Sequence, residues 1–106
     1  MTAYVVNHGG PPGSADPGTV TPIDTATSQA GAAIKVGNGP GDIAITPNGR
    51  TAYVANFGGG SVAGDTVTPI SIATGKAGKP ITVGRFPGPI AITPNGKTAY
   101  AGGELG

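Results

Sequence analysis

Thr46-Pro47-Asn48-Gly49-Arg50-Thr51-Ala52-Tyr53-Val54-Ala55-Asn56 is the stretch that decides the fold. It returns in two other places. Thr93-Pro94-Asn95-Gly96-Lys97-Thr98-Ala99-Tyr100 repeats its first two thirds, and Thr2-Ala3-Tyr4-Val5-Val6-Asn7 repeats its end. Thr2 to Thr51 spans 49 residues, and Thr51 to Thr98 spans 47. A period of that size marks a propeller, a solenoid or an array. One such unit cannot bury its own apolar faces, so it must stack on its neighbours.

Working outward, the matched blocks continue. Gly41–Ile45 aligns with Gly88–Ile92, Thr19–Ile23 with Thr66–Ile70, and Ile34–Gly37 with Ile81–Gly84. Each block is short, β-prone and bounded by Gly, Pro, Asn or Thr, and no helical period appears. The Pro-Asn-Gly triplets predict tight hairpins, because Asn and Gly accept the positive φ such turns demand. Each repeat therefore reads as four antiparallel strands. Strand a covers about 42–46 and 89–93. Strand b covers about 51–56, with copies at 2–7 and 98–101. Strand c covers about 66–73 and 19–26, and strand d about 80–84 and 33–37. Four strands in about 48 residues match one propeller blade. The expectation is an all-β propeller fragment of nine strands and two blade-equivalents. Its parts are b-c-d at 2–37, a full blade at 41–84, and a-b at 88–101. Pro22 and Pro69 fall inside strand c. Neither can donate a ladder hydrogen bond, so each is expected at an edge-like or bulged position.

Composition agrees with strands. The chain has 106 residues, 37% of them hydrophobic, with 21 Gly, 11 Pro and no Trp. The apolar residues are mostly Ala, Val and Ile, which suits closely stacked sheets. Net charge is +1, only 10% of residues are charged, and no basic run occurs, which argues against nucleic acid as a partner. Cysteine is absent, excluding disulfides and thiolate metal sites. No apolar run approaches a membrane span, and no signal peptide precedes Thr2. The chain opens directly on a strand pattern, so a missing upstream segment is expected.

Tyr53-Val54-Ala55-Asn56 after the Pro-Asn-Gly turn, followed by Thr66-Val67-Thr68-Pro69-Ile70, resembles the YVTN-type β-propeller repeat. The resemblance covers nearly the whole chain. It implies a structural repeat, several blades, and a secreted or cell-surface setting. The chain departs from that pattern at Val6 and Ala55, where the family name has Thr. It departs again in long b–c loops at about 8–18 and 57–65, and in a last copy that decays into Ala101-Gly102-Gly103-Glu104-Leu105-Gly106.

Strand direction puts the d–a loops (37–41, 84–88) and the b–c loops at one end. Loop variation makes that end the candidate interaction face, comprising His8, Asp16, Asp42, Phe57, Asp65, Arg85 and Phe86. His8 aligns with Phe57 and has no carboxylate pair nearby, so it reads as a ring-packing position rather than a base. Asp16 and Asp65 read as turn-closing residues, since calcium needs several converging oxygens. Asp42 aligns with Pro89 and so reads as dispensable. Gly9-Gly10 and Gly58-Gly59-Gly60 lead into strands, not a helix, which removes a phosphate role. No catalytic, cofactor or metal residues are assigned. Arg50, Lys76, Lys79 and Lys97 are expected at the opposite end, leaving Arg85 the only cation on a mildly acidic face.

Two functions from different classes follow. One is a non-catalytic binding or protein-interaction scaffold taking a protein or glycan ligand. The other is a fragment of a larger lyase- or redox-type propeller enzyme whose active-site blades lie elsewhere. Two blades alone expose apolar sheet faces, which monomers rarely tolerate. Self-association into a ring is expected, three or four copies being favoured, with strand 89–93 pairing to 2–7 of the next copy. An engineered or truncated origin would also explain the two-blade length. Far-UV circular dichroism of the chain is expected to show a β spectrum without helical bands.

Overall fold

The computed structural model describes residues 2–8, 17–59 and 62–103. Among them are eleven strands and no helix, hence no helix long and apolar enough to cross a membrane. The strands are β1 (Thr2–Asn7), β2 (Pro17–Asp24), β3 (Gln29–Ala30), β4 (Ile34–Asn38), β5 (Pro40–Ile45) and β6 (Thr51–Gly59). They continue with β7 (Val62–Ser71), β8 (Lys76–Ala77), β9 (Ile81–Thr82), β10 (Pro87–Ile92) and β11 (Ala99–Gly103). They form three antiparallel sheets: β1-β2 with β3 and β4, β5-β6-β7 with β8 and β9, and β10-β11.

The Thr-Pro-Asn-Gly turns form twice in one geometry. Thr46 Oγ1 donates to Asn48 Oδ1 (2.7 Å), which also accepts Arg50 N–H (2.9 Å). Thr93, Asn95 and Lys97 repeat this at 2.6 and 2.9 Å. Gly49 and Gly96 take φ of 72° and 74°, the left-handed region open to glycine.

The outer strand of each four-strand repeat is broken in two, giving the unexpected pairs β3/β4 and β8/β9. The prolines explain the break. Pro22 O accepts Gly31 N–H (2.8 Å) and Pro69 O accepts Gly78 N–H (2.7 Å). A strand residue points its N and O to the same side, so each proline nitrogen also faces the outer strand, where no donor exists to continue the ladder. Strand d at 80–84 accordingly shrinks to Ile81–Thr82. The c strands stop at Asp24 and Ser71, not at 26 and 73. There the chain turns, with Asp24 O accepting Ser28 N–H and Ser71 O accepting Gly75 N–H. Within the expected 57–65 loop, residues 57–59 and 62–65 instead extend β6 and β7 as paired strands, and residues 60–61 lie outside the described residues. A bulge between Asn56 and Gly58 shifts the register, and Gly58 (φ 89°) absorbs it. Most of the 8–18 loop lies outside the described residues. β11 does not decay at Ala101; it pairs through Gly103 with Pro87.

The core lies between the first and second sheets. Val20, Ile34 and Val36 meet Ala52, Val54 and Ile70, with Tyr4 and Ile43 at its margin. Period-2 alternation places Ala52, Val54 and Asn56 on the face of β6 toward the first sheet, and Tyr53 and Phe57 on the other. Asn56 is fully buried. Its Nδ2 donates to Thr68 Oγ1 (2.8 Å) and Thr66 Oγ1 (3.0 Å), while its Oδ1 accepts Gly37 N–H from the first sheet (3.2 Å). A Cβ on Gly37 would sit 2.7 Å from Asn56 Cγ, so the close approach needs glycine. Asn56→Ala is expected to destabilise the fold by about 2–3 kcal/mol in chemical denaturation, because three donors and acceptors lose their partner in a buried place.

Candidate functional site

The residues of the candidate face come from β-strand ends. Asp42 lies near the start of β5, Phe57 near the end of β6, Asp65 near the start of β7, and Phe86 immediately before β10. Antiparallel pairing brings these ends together: Asp42 opposes Ala55, and Thr66, next to Asp65, opposes Asn56. Asp16 lies outside the described residues.

Phe57 and Phe86 form the centre of this end. Their ring centroids lie 5.2 Å apart at an interplanar angle of 48°. With Gly88, Pro89, Gly102 and Gly103 they line an open, largely apolar cleft of about 270 Å³. Phe86 takes φ of 54°, as does Gly39 at the matching point of the preceding repeat. At the His8/Phe57 position, read as a loop or packing site for a flat side chain, Phe57 stacks on Phe86. His8 is exposed, and its repeat-equivalent contact would fall on Gly39, which has no ring.

Asp42 makes two contacts that its alignment with Pro89 does not announce. Its Oδ1 accepts Ile43 N–H (2.9 Å), and its Oδ2 accepts Ile90 N–H (3.1 Å). One carboxylate thus ties the inner strands of the second and third sheets. Comparison with Pro89 misled because it asked whether each repeat needs Asp, whereas the bond joins two unlike positions. Asp65 is exposed, and its main-chain oxygen accepts Val83 N–H (2.7 Å), closing the β7–β9 edge. Arg85 is exposed beside Phe86.

The charge layout differs from expectation in two cations. Lys76 pairs with Ser71 at the far end of β7 from Asp65, as expected. Arg50 and Lys97 sit in the hairpin turns at that far end. Lys79 does not join them: it lies in the β8–β9 break, at mid-height on the outer rim. Lys35, opposite Thr19 in β4, adds an exposed cation toward the candidate face. Arg85 is therefore not alone there. Among the described residues, no three His, Cys, Asp or Glu side chains gather as a metal site would require.

The sequence reading missed Gly88, Pro89, Gly102 and Gly103 as cleft residues. The available signal was the repeat alignment itself, in which Gly103 stands at the position of Asn56 and opens the space that Asn56 fills.

The arrangement has a counterpart among solved structures. Hydrazine synthase of Kuenenia stuttgartiensis is similar to 80% of this chain with a TM-score of 0.72 and 35% sequence identity. The matched part is 23% of that chain, so this sequence spans less than a quarter of its length. No family model and no curated protein matches the sequence.

Asp42→Ala is expected to lower unfolding stability by about 1–2 kcal/mol, since two part-buried N–H groups lose a charged acceptor. Thermal or urea denaturation measures it.

Proposed function

We propose that the chain is a pair of YVTN-type β-propeller blades acting as a non-catalytic binding scaffold, with the Phe57–Phe86 cleft as its contact surface. The observation that carries this reading is the cleft: two half-buried aromatic rings beside backbone-exposing glycines, flanked by Arg85, Asp65 and Asp42. Aromatic surface with a polar rim suits a protein segment or a sugar face, which binds through ring stacking plus peripheral hydrogen bonds. Three stacked sheets of repeating sequence support the blade reading. The family resemblance supports a secreted or cell-surface setting for such a module.

A second reading has one observation in its favour, the likeness to a synthase. In that case these blades are a structural portion of a larger enzyme, and the chemistry resides in parts with no counterpart here. His8 and the scattered carboxylates then serve folding, as Asp42 does.

The test is a glycan and peptide array probed with the wild-type chain, Phe57→Ser and Lys79→Ala. The scaffold reading expects a ligand whose affinity falls about tenfold or more in Phe57→Ser, a loss of about 1.4 kcal/mol, and is unchanged in Lys79→Ala on the outer rim. Binding indifferent to Phe57, or no ligand in either array, overturns it.

A further inference from the structure

The Phe57–Phe86 cleft has no polar side chain in its lining. Phe57, Phe86, Gly88, Pro89, Gly102 and Gly103 offer neither a side-chain donor nor a side-chain acceptor. Its volume of about 270 Å³ falls below the roughly 300–1,000 Å³ of sites that enclose a whole small ligand. The space suits one side chain rather than a complete molecule. A sugar ring seated there would bring several hydroxyls out of water with no side chain to receive them, and an unpaired hydroxyl is costly in an apolar place. An aliphatic or aromatic side chain loses nothing polar.

The main chain supplies one acceptor here. Thr93 N–H donates to Thr98 O (2.9 Å), after which Ile92, Ala91 and Ile90 oppose Ala99, Tyr100 and Ala101. Bonded and non-bonded pairs alternate along an antiparallel ladder, so the next bonded pairs are Ala91–Tyr100 and then Pro89–Gly102. Pro89 has no N–H, and that rung is missing, whereas its equivalent in the second sheet, Asp42 opposite Ala55, is present. Gly102 O thus lacks the ladder donor that Ala55 O has. A peptide carries its own N–H beside each side chain it presents.

The rim is charged. Arg85 is exposed, and a Cβ on Gly103 would lie 3.0 Å from Arg85 O, so Arg85 stands against the cleft wall. Among the described residues it makes no ion pair. Asp42 is committed to the N–H groups of Ile43 and Ile90. Phe86 holds φ of 54°, a region that a bulky residue rarely takes, and its N–H donates to Gly64 O (2.9 Å). The wall is therefore held by main-chain bonding as well as by the ring contact with Phe57.

We infer that the cleft captures one apolar side chain of a protein segment in which an acidic residue stands next to it. The side chain enters against Phe57 and Phe86 over Gly88, the segment's main-chain N–H donates to Gly102 O, and the carboxylate pairs with Arg85. This rests on the scaffold reading above and narrows its ligand from protein or sugar to protein.

The test titrates short synthetic peptides, each with a central Leu, Phe or Ser flanked by Glu, Lys or Ser, against the full chain by fluorescence polarisation. Gly88→Val and Arg85→Glu are measured beside the wild type, each checked for β structure by circular dichroism. Leu or Phe flanked by Glu is expected to bind about tenfold or more tighter than central Ser or flanking Lys, with added salt weakening the Glu-flanked peptides most. A Cβ on Gly88 meets nothing within 4 Å, so Gly88→Val fills the cleft without displacing a neighbour and should lower affinity about tenfold or more. Arg85→Glu should turn the preference from flanking Glu to flanking Lys. Peptide binding that ignores Gly88→Val, or that keeps its preference for Glu in Arg85→Glu, overturns the inference. So does a failure of every peptide to bind. A glycan retained on the array and lost in Phe57→Ser also overturns it while leaving the scaffold reading in place. An absence of any ligand from both arrays removes the two together.

Discussion

The amide of Asn56 joins the two best-packed sheets at a fixed height. Its nitrogen is spent on two threonine hydroxyls of its own sheet, and its oxygen on a glycine N–H of the next. Apolar packing alone would let flat Ala- and Val-covered sheets slide, since such side chains carry no directional preference. A buried amide does not permit sliding, because any displacement leaves a polar group unpaired in a dry place. Much else answers to that requirement. Gly37 must lack a Cβ, Thr66 and Thr68 must alternate on one face of β7, and the β6–β7 bulge must come after Asn56 and not before it.

The third sheet shows what happens when that device is absent. Asp42 links its inner strand to the second sheet, so it is anchored at one edge. Its other strand carries Gly103 in place of asparagine and Ala101 in place of valine, and both an apolar hollow and an exposed glycine loop result. The first sheet carries the same asparagine fork at Asn7, which lies exposed.

Strands and turns were legible because the local chemistry that makes them is written in consecutive residues: Thr-Pro-Asn-Gly for the hairpins, and Tyr-Val-Ala-Asn alternation for β6. The outer strands were less so. Their breaks depend on Pro22 and Pro69, one strand away, and only pairing reveals which flank a proline faces. The β6–β7 extension was hidden for a related reason, since glycine-rich sequence reads as loop until a bulge and a partner strand are placed. At the candidate face, Phe57 and Phe86 were legible as residues but not as a pair, because 29 positions separate them and only the stacking of sheets joins them. Asp42 was misread because its partner is a backbone N–H, which no side-chain pattern announces. Lys79 was misplaced because the break that puts it at mid-height was itself unseen.

The cleft follows from one exchange between repeats, glycine at position 39 and phenylalanine at 86. At Gly39 a side chain is excluded, since a Cβ there would collide with Gly58 O. At Phe86 the same left-handed backbone carries a large ring. A non-glycine residue in that region costs about 1–2 kcal/mol, and an aromatic pair such as Phe57–Phe86 contributes about 0.5–1.5 kcal/mol beyond its area. The two terms nearly offset, so stability gives little reason for an aromatic at this place over the glycine used 47 positions earlier. What the exchange does change is the surface. It converts a tightly closed loop crossing into an open apolar wall at the loop-bearing end, where the second and third sheets meet and Arg85 and Asp65 stand within the same set of strand ends.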